Sequence, residues 1–179
     1  MEKIQTEVHS KIISIFPGFD RVDIINGSYI EEHPEQCLEI NCCPITYDME
    51  TCDRIIEHHN VNYLNDFLKQ VQDNIGKYEY IFVPHYEEVR KTLEDACIFY
   101  FSVFPTMQRK KEFINYYEEE EYLFSFIVDY ESNWEKYINS MRIENINHHN
   151  IELTVLTSIE FILKRIDNLS KLIITKTIC

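Results

Sequence analysis

The chain has 179 residues, 45% of them apolar and 13% aromatic, which suits one folded domain and excludes a disordered chain. A formal net charge of −14 opposes binding to bare nucleic acid or to an anionic membrane surface, since both depend on Lys and Arg. No run approaches the ~18 apolar residues of a membrane span, no apolar leader follows Met1, and the 6 Cys read as free thiols of a reducing, cytoplasmic compartment.

Residues 1–11 are polar, and Lys11 to Phe16 is a short β-branched run suited to a buried parallel strand. Residues 26–60 show little regular pattern, being broken by Asn26-Gly27, Pro34 and Pro44. From Val61 to Ile75 apolar residues keep three-to-four spacing, which predicts a helix ended by Gly76. Tyr80 to Val83 is a second strand, Tyr86 to Ala96 a helix, and Ile98 to Phe104 a third strand stopped by Pro105. Gln108 to Tyr117 and Leu123 to Met141 read as two more helices. Strand and helix alternating at these lengths predict an α/β fold of three layers, a parallel sheet with helices on both faces.

The expected division is a domain over residues 1–143 and a tail over 144–179. Asn145-Ile146-Asn147-His148-His149-Asn150 reads as a polar hinge before a long C-terminal helix. Val155, Ile159, Ile162, Ile166, Leu169 and Ile173 step by four, three, four, three and four, a short heptad seam. Such a seam either pairs with its copy in a second chain, making a homodimer, or folds back on the sheet as an outer helix. The tail is neutral, with four acids and four bases, so residues 1–143 hold all the net charge, 27 acids against 13 bases.

After the first strand come Pro17-Gly18-Phe19-Asp20-Arg21-Val22, at the place where a phosphate loop follows a strand. A working loop needs glycines whose backbone N–H groups converge on a phosphate, a Lys, and a Ser or Thr hydroxyl for Mg²⁺. Gly18 is kept, while Phe19, Asp20, Arg21 and Val22 stand at the turn, second-glycine, Lys and hydroxyl positions. Further on, Asn74-Ile75-Gly76-Lys77-Tyr78-Glu79-Tyr80-Ile81-Phe82-Val83-Pro84-His85 leads into Glu88-Val89-Arg90-Lys91-Thr92-Leu93, then Phe101 to Pro105 and Asn133-Trp134-Glu135. In order and spacing these segments resemble the small P-loop kinase-like proteins of bacteriophages, relatives of adenylate and other nucleoside monophosphate kinases. The resemblance spans roughly residues 10–140 and is most distinctive over 74–93.

The resemblance implies that the strand at 80–83 ends beside the phosphate loop and that His85 and Arg90 approach the substrate or its phosphates. With Gly18 and Arg21 they are the candidate nucleotide-binding residues. Read as ordinary residues, His85 caps the next helix and Arg90 pairs with Glu87 or Glu94 on its surface. Where the family places lid arginines, after Tyr116-Tyr117, this chain has Glu118-Glu119-Glu120-Glu121. From Glu112 to Glu135 there are eight acids and no Lys or Arg. Phosphoryl transfer is mostly positioning and charge neutralisation, so carboxylates there raise the barrier.

No catalytic residue, cofactor or metal is therefore expected. Cys37, Cys42, Cys43, Cys52, His58 and His59 crowd one span but form no paired knuckles, and they read as free thiols and surface imidazoles. The expected function is that of a catalytically inactive viral protein acting by protein–protein binding. It would inhibit or modulate a host or antiviral-defence protein that has a basic surface. Its contact face would be Tyr116, Tyr117, Glu118, Glu119, Glu120, Glu121 and Tyr122, since aromatics anchor interfaces well. The alternatives are a nucleotide or nucleoside kinase with an atypical loop, using Arg21, His85 and Arg90, and a module that binds a nucleotide without turnover.

Overall fold

A computed structural model describes residues 9–17, 29–42, 45–51, 54–154 and 158–177, with the side chains of 45–51, 54–59 and 173–177 outside that description. The parallel sheet is built from β1 (Lys11–Ile15), β2 (Cys37–Glu39), β5 (Tyr80–Pro84), β6 (Tyr100–Pro105) and β7 (His148–Leu153), in the order β2-β5-β1-β6-β7. Every neighbouring pair in it is parallel. β3 (Ile45–Thr51) and β4 (Arg54–His59) form a separate antiparallel hairpin. Around the sheet lie α1 (Tyr29–Glu32), α2 (Tyr63–Asn74), α3 (Glu87–Asp95), α4 (Lys110–Glu119), α5 (Phe124–Arg142) and α6 (Ile159–Thr177), with a 3₁₀ turn at Met107–Arg109 before α4.

Alternate residues of the strands enter two apolar cores. Ile12, Ile81, Val83 and Tyr100 pack with Phe67 and Val71 of α2 and Val89 and Leu93 of α3. Ile13, Ile15, Phe82, Phe101 and Val103 pack with Ile159, Ile162, Leu163 and Ile166 of α6. A sheet covered on both faces needs strands apolar at successive positions, which is why Tyr80 to Val83 is a continuous apolar run and Ile12 to Phe16 is one interrupted only by the buried Ser14. The α/β fold with helices on both faces is thus observed.

α2 ends as its sequence requires, with Gly76 at φ 84°. α3 and α4 end in the same left-handed way without glycine. Cys97 (φ 53°) follows α3, and Glu121 (φ 54°) follows α4. At each, the next residue's N–H bonds five residues back: Ile98 to the Leu93 carbonyl at 2.9 Å, Tyr122 to the Tyr117 carbonyl at 3.0 Å.

Two expectations about the tail are corrected. His148 to Asn150, read as a hinge, begin β7, the sheet's edge strand, with Tyr100 opposite His148 and Ser102 opposite Asn150. An edge strand needs apolar residues only where it meets the core, here Ile151 and Leu153, so a polar start is compatible with pairing. His148 is buried with its ring stacked on Tyr100, centroids 5.0 Å apart. The division at 143/144 therefore falls within one continuous unit. The seam of α6 faces its own sheet: Ile159, Ile162 and Ile166 are buried in the core and Leu169 packs against it. Val155 lies outside the described residues, as does the side chain of Ile173. A seam buried this way is not open to a second chain, which leaves the outer-helix alternative. Polar bonds fix the same seating, since Asp167 of α6 accepts from the Tyr80 hydroxyl at 3.0 Å and meets Lys11 Nζ at 3.0 Å.

Candidate functional site

The chain runs from central β1 out to edge β2, steps back to β5, and crosses β1 through α3 to reach β6. The strand order thus reverses about β1, and in open α/β sheets ligands bind outside the carboxyl ends of the strands at such a point. β5 ends beside β1, Ile15 lying opposite Pro84. A cavity of about 430 Å³ opens there, lined by Ile15 and Pro17 at the end of β1, Glu39 at the end of β2, and His85, Tyr86 and Glu88 after β5. Among the described residues its lining includes two carboxylates and no Lys or Arg. Such a lining does not neutralise a polyphosphate.

His85 is buried, and its Nε2 shares a 2.9 Å hydrogen bond with the Tyr130 hydroxyl. Burial, reinforced by the Arg90 guanidinium, pushes its pKa down to about 3, so the imidazole is neutral. Arg90 is also buried. Its Nε donates to the His85 carbonyl at 3.0 Å, and its two terminal nitrogens donate to the Ser140 carbonyl and hydroxyl, each at 2.9 Å. It therefore ties the start of α3 to the end of α5. Neither residue plays the expected local role: the side chain of His85 engages α5, and the hydrogen bonds of Arg90 go to His85 and Ser140. Gly18 and Arg21 lie outside the described residues.

Beyond β1, Phe16 is fully buried and meets His85 at 4.9 Å, Trp134 at 5.4 Å, Tyr130 at 5.5 Å and Phe113 at 5.9 Å between centroids. The Tyr117 hydroxyl donates to the Pro17 carbonyl at 2.9 Å, tying α4 to the chain just before Gly18. The ground between β1 and helices α4 and α5 is thus filled by packed rings, whose geometry is edge-on or tilted as aromatic quadrupoles prefer.

The contact face read from sequence is divided by the structure. Tyr117 is fully buried and belongs to the core, so it is not available to a partner. Tyr116 and Tyr122 are half-buried, their rings 6.2 Å apart in the same aromatic cluster. Glu118, Glu119, Glu120 and Glu121 are all exposed. Sequence reading missed the residues that follow. Leu123, Phe124 and Val128 face solvent beside these glutamates. The signal was present, because Tyr130, Trp134, Ile138 and Met141 mark the buried stripe of α5 and leave Phe124 and Val128 off it.

Cys37 and Cys42 are buried, and burial raises the pKa of the Cys37 thiol to about 11. Cys43 and Cys52, and the side chains of His58 and His59, lie outside the described residues. Among the described residues no cluster of His, Cys, Asp or Glu has the geometry to hold a metal ion, and no helix is long and apolar enough to cross a membrane. Compared with protein-family models, curated proteins and solved structures, the chain matches none.

Proposed function

We propose that this chain works by binding another protein and does not turn over a nucleotide. The observation that carries the reading is the corner between α4 and α5. There, four consecutive exposed glutamates adjoin exposed Leu123 and Phe124, in a stretch with eight acids and no base. Acid with apolar anchors suits a basic protein surface and repels phosphates. Further support comes from the crevice at the carboxyl ends of β1, β2 and β5. A ligand would sit there, yet the described lining offers carboxylates and a neutral imidazole, and Arg90 is engaged elsewhere.

In its most concrete form the protein is a kinase-like framework without kinase chemistry. It is carried by a bacteriophage and acts as an acidic inhibitor or modulator of a host or antiviral-defence protein with a basic surface. The framework part draws on β5 ending beside β1, as the resemblance implies, and on Phe19, Asp20, Arg21 and Val22 in the loop positions. The viral and host-directed part draws on the resemblance and the acidity. The test is calorimetry of the full chain with ATP, GTP and nucleoside monophosphates, with and without Mg²⁺. Dissociation constants of about 1 mM or weaker are expected, below about 4 kcal/mol of binding free energy. Micromolar binding with phosphoryl transfer would refute the reading in favour of an enzyme, and micromolar binding without transfer would favour a nucleotide-holding module.

A further inference from the structure

We infer that the α4–α5 corner is a docking ridge for a basic amphipathic helix of the partner protein. This rests on the binding reading above and adds the contact that gives it specificity. Leu123 is 77% exposed, Phe124 80% and Val128 42%. Phe124 and Val128 lie one turn apart on α5 and form one ridge, and exposed Leu123 immediately precedes its first turn. The stripe begun by Phe124 and Val128 continues, at the spacing of the same helix face, through exposed Glu131 and Glu135. Glu118 to Glu121 stand at the ridge's other end. An apolar centre is thus bounded at both ends by carboxylates, the arrangement of an interface hot spot inside a polar rim.

The complementary element has apolar residues in its middle and Lys or Arg towards both ends, all on one side. A helix places side chains that way at i, i+3, i+4 and i+7. Pure electrostatic attraction would need no apolar centre, and pure apolar contact would need no acidic ends. A second copy is the rival occupant, because the outer side of α6 shows exposed Phe161 and Leu172 with Lys164 and Arg165. Against it stands the mutual repulsion of two chains of net charge −14.

The experiment titrates the full chain into two fluorescein-labelled peptides of about 18 residues, the length of a free-standing helix. One carries Leu and Lys at amphipathic spacing and the other is Lys throughout. The Leu/Lys peptide should bind at least about tenfold tighter. Phe124→Ser combined with Val128→Ser should erase that factor, leave the all-Lys affinity unchanged, and leave the melting temperature within about 2 °C, as expected for exposed sites. Equal binding of both peptides, or an unaffected double variant, overturns the inference while leaving the acidic binding reading intact. If neither peptide binds, both fall. Sedimentation equilibrium of the chain alone decides the rival: self-association abolished by Phe124→Ser would mean that a second copy covers the ridge, and the inference would be wrong.

Discussion

Replacing Ile162 by Ala separates a helix seated on its own sheet from one that waits for a second chain. Ile162 is 0% exposed and sits between Ile159 and Ile166 in the core beneath α6. Removing three carbons there loses their transfer free energy and leaves a cavity, which together cost roughly 2–5 kcal/mol. Alanine's better helix propensity returns about 0.4 kcal/mol. The neighbours are branched and held by the sheet, so little collapse is expected and a loss of about 3 kcal/mol is the working figure. With a urea slope of about 2 kcal/mol per M, the unfolding midpoint should fall by about 1.5 M at unchanged slope. Leu172→Ala, on the exposed side of α6 (61% exposed), should cost no more than about 0.5 kcal/mol. A loss under about 1 kcal/mol for Ile162→Ala would refute the seating of α6 on its sheet.

Two more expectations follow from individual groups. The pKa of His85 in the folded protein is about 3, against an ordinary value of 6.5, so between those values the unfolded chain takes up the proton first. The stabilising effect of a neutral His85 is therefore complete above about pH 6.5 and is lost as pH falls towards 3, by up to about 1.4 kcal/mol per pH unit. His85→Gln should flatten the pH dependence of urea stability in that window, and identical slopes in the two proteins would refute the buried neutral imidazole. At Glu121 the left-handed backbone burdens a residue that has a Cβ and adds a fourth adjacent carboxylate. Glu121→Gly should raise stability by up to about 1 kcal/mol, and a thermal melt showing destabilisation would argue against that turn.

Strain and acidity coincide at the α4–α5 corner. A glycine at position 121 would relieve the backbone, as Gly76 does after α2, yet the chain carries Glu there and completes a run of four. Strained positions persist where the surroundings over-determine them. Here the buried Tyr117, anchored to the Pro17 carbonyl, and the Tyr122 N–H bonded to the Tyr117 carbonyl hold the turn in place. The result is a rigid mount that presents Glu118 to Glu121 and Phe124 on one edge.

The amino-acid order alone was sufficient for the central elements. Ile12 to Phe16, broken only by the buried Ser14, and Tyr80 to Val83 are apolar at successive positions because both their faces are covered, and Gly76 marks the end of α2 because only glycine enters that backbone region without cost. The acid-only stretch was equally legible, being a matter of composition. What only the folded chain decided was which surface each side chain meets. His148 and Asn150 look like a hinge until Tyr100 and Ser102 stand opposite them in the ladder, and the heptad of α6 is the same whether it meets a sheet or a second helix. Arg90 and His85 carry no sequence mark that their partners are Ser140 and Tyr130, fifty and forty-five residues away. Periodicity is local and reports that a face is apolar, whereas the identity of what covers it depends on contacts between distant segments, which exist only once the chain has closed on itself.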